Sequence, residues 1–211
     1  MTLQPSIDRI KADGMIVIIR GDFPLGDVLR IADILVQVRL TVMEVTLNSP
    51  AALEAIPALR QAYGESLLVG AGTVRDAAGV EQALNAGAQF IVAPNFDPAA
   101  VARSGAAGLL HLPGVATPTE AQAAFAAGCR LLKLFPCDVL GGPAYLRAIR
   151  APLDNIDFVP TGGITPDNLR AYRAAGAVAV GVGGALVSQD WTPESLRARA
   201  AAFRAAYAEP F

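Results

Sequence analysis

A chain of 211 residues with 53% hydrophobic content and a mean hydropathy of +0.42 can bury a substantial core, and it raises the question of a membrane. Arg20, Arg39, Glu44 and Lys133 interrupt the apolar segments well before the ~18 residues a spanning helix needs, so no span is expected. A formal net charge of -2 and a pI near 5.4 leave no broad cationic surface for nucleic acid.

No charged-then-apolar leader opens the chain, and Cys129 and Cys137 form neither a CxxC pair nor a disulfide framework, which agrees with a cytoplasmic setting. Apolar strand-like runs alternate with helix-like segments throughout, the pattern of a parallel sheet covered by helices. The spacing predicts a lead-in helix over 5–13, a strand over 15–20, a helix over 24–38 and a strand over 42–46. Ser49-Pro50 then reads as an N-cap with Pro at the first helical position. Strands follow over 67–72, 89–93 and 109–112, with helices over 76–86 and 97–104 between them. Thr117-Pro118-Thr119-Glu120 has the capping-box spacing and opens a helix that Gly128 closes. The sixth strand is the stretch Arg130 to Pro136, followed by a helix over 143–151 and a strand over 158–160. Thr165-Pro166 caps the next helix, residues 178–182 form the eighth strand, and Thr192-Pro193 opens a last helix reaching about residue 208.

Eight strands, each followed by a helix, with no linker between them, predict a single α/β domain over 1–211. Its expected fold is a (β/α)8 TIM barrel with a short N-terminal helix. An open doubly wound sheet would carry a glycine-rich fingerprint after its first strand, where this chain reads Arg20-Gly21-Asp22-Phe23-Pro24.

Lys133 is one of only two lysines beside fifteen arginines, and it stands inside an apolar run. Burial disfavours its ammonium, and a partly neutral amine is a Schiff-base nucleophile. A stem that packs while its head reaches solvent or a carboxylate accounts for the same stretch. In a barrel the site lies at the C-terminal strand ends, and those ends carry Arg20, Glu44 with Thr46, Thr73, Pro94 with Asn95, Lys133 with Phe135, and Thr161. The glycine-rich turns Thr161-Gly162-Gly163-Ile164 and Gly181-Val182-Gly183-Gly184 follow the last two strands, the usual phosphate position in barrels.

Six motifs in order, Glu44-Val45-Thr46-Leu47-Asn48-Ser49-Pro50, Val69-Gly70-Ala71-Gly72-Thr73-Val74, Val92-Ala93-Pro94-Asn95, Pro113-Gly114, Leu132-Lys133-Leu134-Phe135-Pro136 and Pro160-Thr161-Gly162-Gly163-Ile164, resemble those of the class I KDPG/KHG aldolase family along essentially the whole chain. That resemblance implies a Schiff-base aldolase that cleaves a phosphorylated 2-keto-3-deoxy sugar acid, of phosphogluconate or phosphogalactonate type, to pyruvate and glyceraldehyde 3-phosphate. It implies Lys133 as the Schiff-base lysine and Glu44 as general acid/base. Arg20, Thr46, Thr73, Pro94, Phe135 and Thr161 match the substrate pocket, and Gly162, Gly163, Gly183 and Gly184 the phosphate end. A homotrimer without metal or other cofactor is implied as well. Asn48 resembles the phosphogalactonate branch and Thr161 the phosphogluconate branch, while Ala185 replaces a serine often found beside the phosphate glycines. Other readings are 4-hydroxy-2-oxoglutarate cleavage, a phosphosugar isomerase or binding protein on the same barrel, and a metal-dependent enzyme. The last would need several converging ligands, and His111 is the single histidine.

Overall fold

The structure is a computed structural model describing residues 3–208. Nine strand segments, all paired in parallel, alternate with nine α-helices among those residues. The strands are β1 (Met15–Ile19), β2 (Val42–Thr46), β3 (Leu68–Gly72), β4 (Phe90–Val92), β5 (Leu110–Leu112), β6 (Gly114–Val115), β7 (Leu131–Leu134), β8 (Asp157–Pro160) and β9 (Val180–Val182). The helices are α1 (Gln4–Asp13), α2 (Leu25–Gln37), α3 (Ala52–Tyr63), α4 (Ala77–Asn85), α5 (Pro98–Ala106), α6 (Pro118–Ala126), α7 (Gly142–Arg150), α8 (Pro166–Ala174) and α9 (Pro193–Ala208). The result is an α/β fold with a curled parallel sheet, in a six-stranded section β5-β4-β3-β2-β1-β9 and a three-stranded section β6-β7-β8.

The expected strand over 109–112 is followed, just past Pro113, by a further short strand that the sequence does not suggest. Pro113 has no N–H and interrupts the ladder, so β5 pairs with β4 while the chain beyond the proline pairs, as β6, with β7. The Pro113 carbonyl keeps the connection by accepting the Lys133 N–H at 2.9 Å. At the other junction, Thr161 and Gly181 form a single parallel bridge between the end of β8 and β9.

Both faces of the strands are buried, which is why they read as continuous apolar runs rather than alternating ones. Val17, Met43, Val69, Ile91 and Leu132 pack outward against the helices. Ile16, Val42, Leu68, Phe90, Leu110, Leu131 and Val159 point inward, where Ile7 and Ile10 of α1 join them. The side-chain period of two then decides the site. Two residues on from inward Val42 is Glu44, and two on from inward Leu131 is Lys133, so the polar breaks in the apolar runs face the inside at the strand C-termini.

Thr117 and Glu120 form the expected capping box at α6. Ser49-Pro50 does not cap α3, which begins at Ala52 behind Ala51 without a side-chain cap. The Ser49 hydroxyl is drawn instead to the first loop, accepting the Gly21 N–H at 3.0 Å and lying 2.9 Å from Thr46 Oγ1. No described helix is long and apolar enough to cross a membrane.

Candidate active site

Lys133, near the end of β7, is 2% exposed, with its ammonium nitrogen 4.7 Å from the centre of the Phe135 ring. Glu44 on β2 is 1% exposed, and neither carboxylate oxygen has a hydrogen-bond partner among the described residues. No ion pair within 4.0 Å joins it to Lys133 or Arg20 among those residues. The charges are still close enough to influence one another. Burial pushes the Glu44 carboxyl above the usual carboxylate range, with Lys133 and then Arg20 pulling it back. Burial pushes the Lys133 amine below its ordinary range, Glu44 opposing that shift and Arg20 adding to it. A desolvated amine can attack a carbonyl, and a desolvated, unpartnered carboxyl within its electrostatic reach can exchange protons with what forms, although Glu44 itself lies behind the wall of the cavity that Lys133 lines.

One cavity of about 380 Å³ brings together Arg20, Lys133, Phe135, Thr161, Gly162, Gly163, Gly183 and Gly184. Ile18, Ile164, Thr165, Gly181, Ala185 and Val187 complete its wall. Of these, Gly181, Ile164 and Ala185 stood out in the sequence beside the glycine-rich turns, whereas Ile18 and Val187 carry no chemical signal of their own, and only the strand period or a place just after a strand marks them. Gly162 and Gly163 have φ of 104° and 64°, values that favour glycine, and the turn they make lies against the Asp138 side chain.

Thr73 stands outside that cavity, in an adjoining polar recess with Asn48 and Arg75. Its hydroxyl accepts a hydrogen bond from the Arg20 guanidinium at 3.4 Å, so the two spaces meet at this pair. Thr73 holds a φ of 59°, rare for a β-branched residue and a place where strain is stored. Thr46 is fully buried, its hydroxyl turned to Ser49, and it does not line the cavity. Pro94 is half-buried, and its carbonyl abuts Gly114, where a Cβ would come within 2.3 Å of it. Among the described residues no group of three or more His, Cys, Asp or Glu side chains is arranged to hold a metal ion. His111 lies 5% exposed on β5, its Nδ1 3.0 Å from Ser104 Oγ of α5.

A parallel α/β fold with a buried amine and carboxyl at its strand ends holds the groups that covalent imine chemistry needs, and the chain's family match places it among the lyases that make and break carbon–carbon bonds. Residues 7–200 match the family described as KDPG and KHG aldolase, and the chain belongs to that family. It is 37% identical over 196 residues to the 2-dehydro-3-deoxy-6-phosphogalactonate aldolase of Escherichia coli (strain K12), covering 92% of this chain and 95% of that protein. A native KDPGal structure superposes with a TM-score of 0.87 at 36% identity, over 92% of this chain and 93% of that one. The KDPG aldolase of Legionella pneumophila, with pyruvate captured at low pH as a covalent carbinolamine intermediate, superposes with a TM-score of 0.82 at 28% identity, over 90% and 96%.

Proposed function

We propose that this protein is a class I aldolase that cleaves a 2-keto-3-deoxy-6-phospho sugar acid to pyruvate and glyceraldehyde 3-phosphate through a Schiff base on Lys133. The observation that carries the reading is the pairing of Lys133, 2% exposed, with Glu44, 1% exposed and without a protein partner, at one end of the strands of a family member. The Lys133 amine adds to the C2 ketone, and loss of water from the carbinolamine leaves an iminium. The Glu44 carboxylate takes the C4 hydroxyl proton, directly or through a water in the gap that separates it from Lys133. The C3–C4 bond breaks as its electrons move to the iminium, and the aldehyde departs. The Glu44 carboxyl returns its proton to C3 of the enamine, and hydrolysis of the resulting imine then releases pyruvate and the free amine. Arg20, braced on Thr73, holds the substrate carboxylate. The Gly162, Gly163, Gly183 and Gly184 backbone faces the phosphate, and Phe135 and Thr161 flank the reacting carbons. Thr46 and Pro94 serve the site from behind its wall, shaping the β2 and β4 ends.

With β5, Pro113 and β6 acting as one strand and the Thr161–Gly181 bridge as a seam, the fold is one closed eight-stranded barrel in a single domain. The protein is cytoplasmic and assembles as a homotrimer on this proposal. Cavity walls with no lysine or arginine beyond Arg20 and Lys133 leave the phosphate to main-chain donors, which favours some cleavage of the shorter 4-hydroxy-2-oxoglutarate as a side activity.

Borohydride reduction in the presence of pyruvate tests the reading: a covalent adduct at Lys133 is expected, and none in Lys133→Ala, which should fold but not turn over. Aldol cleavage by that variant would falsify the mechanism. Rates on the two C4-epimeric phosphorylated substrates measure the preference, and light scattering of the 21.8 kDa chain measures the assembly.

A further inference from the structure

With Glu44 Oε1 and Oε2 buried and unpartnered, no polar group among the described residues fixes the direction in which the carboxyl faces. What bounds it is an absent side chain on the neighbouring strand. Gly72 ends β3 in register with Thr46. Its φ lies outside the left-handed region, so conformational freedom is not the reason a glycine stands there. The space is the reason. A Cβ at Gly72 would come 2.7 Å from Glu44 Oε1, 2.8 Å from its Cδ and 3.0 Å from Thr46 Cγ2.

Contacts that short are not tolerated, and the strand backbone on either side is held by its ladder, so the carboxyl is what must move. A Cβ at Gly70, two residues earlier on the same face, would come 2.5 Å from the Phe90 ring, so that glycine belongs to packing. Gly72 meets the functional group itself. Resting on the aldolase reading above, we infer that Gly72 is a positioning residue, keeping open the space the Glu44 carboxyl occupies and so setting where the acid/base stands relative to the Lys133 adduct.

The test uses the full chain as wild type, Gly72→Ala, Glu44→Ala and the double variant. Two quantities are read: the equilibrium yield of borohydride-trapped pyruvate on Lys133, and the rate at which pyruvate methyl hydrogens exchange with deuterated water. A displacement of about 1 Å is enough to cost about 10²-fold in a positioned proton transfer. Gly72→Ala should therefore keep its trapping yield while exchange falls by about that factor. In the Glu44→Ala background the same methyl meets no carboxyl, so the double variant should exchange no more slowly than Glu44→Ala alone. It should also recover the larger part of any melting temperature that Gly72→Ala loses. Wild-type exchange in Gly72→Ala, losses that multiply in the double variant, or a double variant as unstable as Gly72→Ala would each overturn the inference while leaving the aldolase reading intact. Absence of trapping in the wild type would overturn both.

Discussion

Lys133 and Glu44 occupy the same dry end of the fold, and burial moves them in opposite directions, the amine down and the carboxyl up, against their mutual attraction. Reactivity and stability then depend on pH in ways that can be separated. The amine reacts only when neutral, so the rate of pyruvate trapping should rise with pH to a midpoint below roughly 10.4, the value for a solvated lysine; a midpoint there or higher would mean that Lys133 is not desolvated. For Glu44 the folded pKa lies above the unfolded one. Its contribution to stability is thus fully present below the unfolded value of roughly 4.3 and is lost as pH rises through the folded value. Glutamine has nearly the same shape and never ionises. Glu44→Gln should slow turnover by roughly two to four orders of magnitude, yet unfold at higher denaturant than the parent near neutral pH, the two converging near the unfolded carboxyl pKa. Coincident unfolding midpoints across that range would show that Lys133 and Arg20 offset the cost of burial in full.

Single elements are held by contacts of a different kind. Asp13, at the end of α1, accepts from the Thr41 N–H and hydroxyl at 2.7 and 2.9 Å and from Arg204 of α9 at 2.7 Å, tying the first and last helices to the start of β2. Asp13→Ala leaves a backbone donor and part of a guanidinium unpaired, and should lower unfolding free energy by about 2–3 kcal/mol in denaturant titration. His111 joins β5 to α5, and burial pushes its pKa down to about 4. Because the folded value lies below the unfolded ~6.5, the stability it confers is present above that pH and lost as pH falls through the folded value, a change on the order of 3 kcal/mol. His111→Gln should lack that acid slope. The elements themselves were largely legible, because Pro, Gly and Thr punctuate them: Thr117-Pro118 and Thr165-Pro166 each mark a helix start. The buried strand positions of Lys133 and Glu44 were legible because a charge in an apolar run is conspicuous. Gly72 was not, since its meaning lies in a side chain on another strand, and Ser49 looked like a cap until the fold offered its hydroxyl the Gly21 N–H. The pairing of Gly114 and Val115 with β7 was hidden for a similar reason: a proline reads as a stop unless its carbonyl is known to find a partner.

Across the whole molecule the two ends of the strands serve opposed needs. The C-terminal ends hold buried ionisable groups and a strained threonine, features that cost stability, and the helices and inward apolar layers must supply the compensation. Ile7 and Ile10 of α1 belong to that inward layer, packed with Ile16, Val42, Leu68 and Leu131 at the N-terminal ends of the strands. Ile10 is 0% exposed, so truncating it removes buried methyl and methylene groups and leaves a cavity that the surrounding strands, tied in parallel ladders, can close only in part. Ile10→Ala should therefore cost about 2–4 kcal/mol, which for a domain of this size lowers the melting temperature by roughly 5–15 °C. The same strands carry Lys133 and Glu44 at their far ends, and a rigid ladder passes little of a local collapse along its length. The trapping yield and the deuterium exchange rate per folded molecule should accordingly stay at wild-type values at temperatures where the variant is still folded. Calorimetry and exchange on one sample decide it. A fall in exchange that tracks the fall in melting temperature would mean that the plug at one end sets the geometry at the other, and that the division between the stabilising and reactive ends does not hold for this chain.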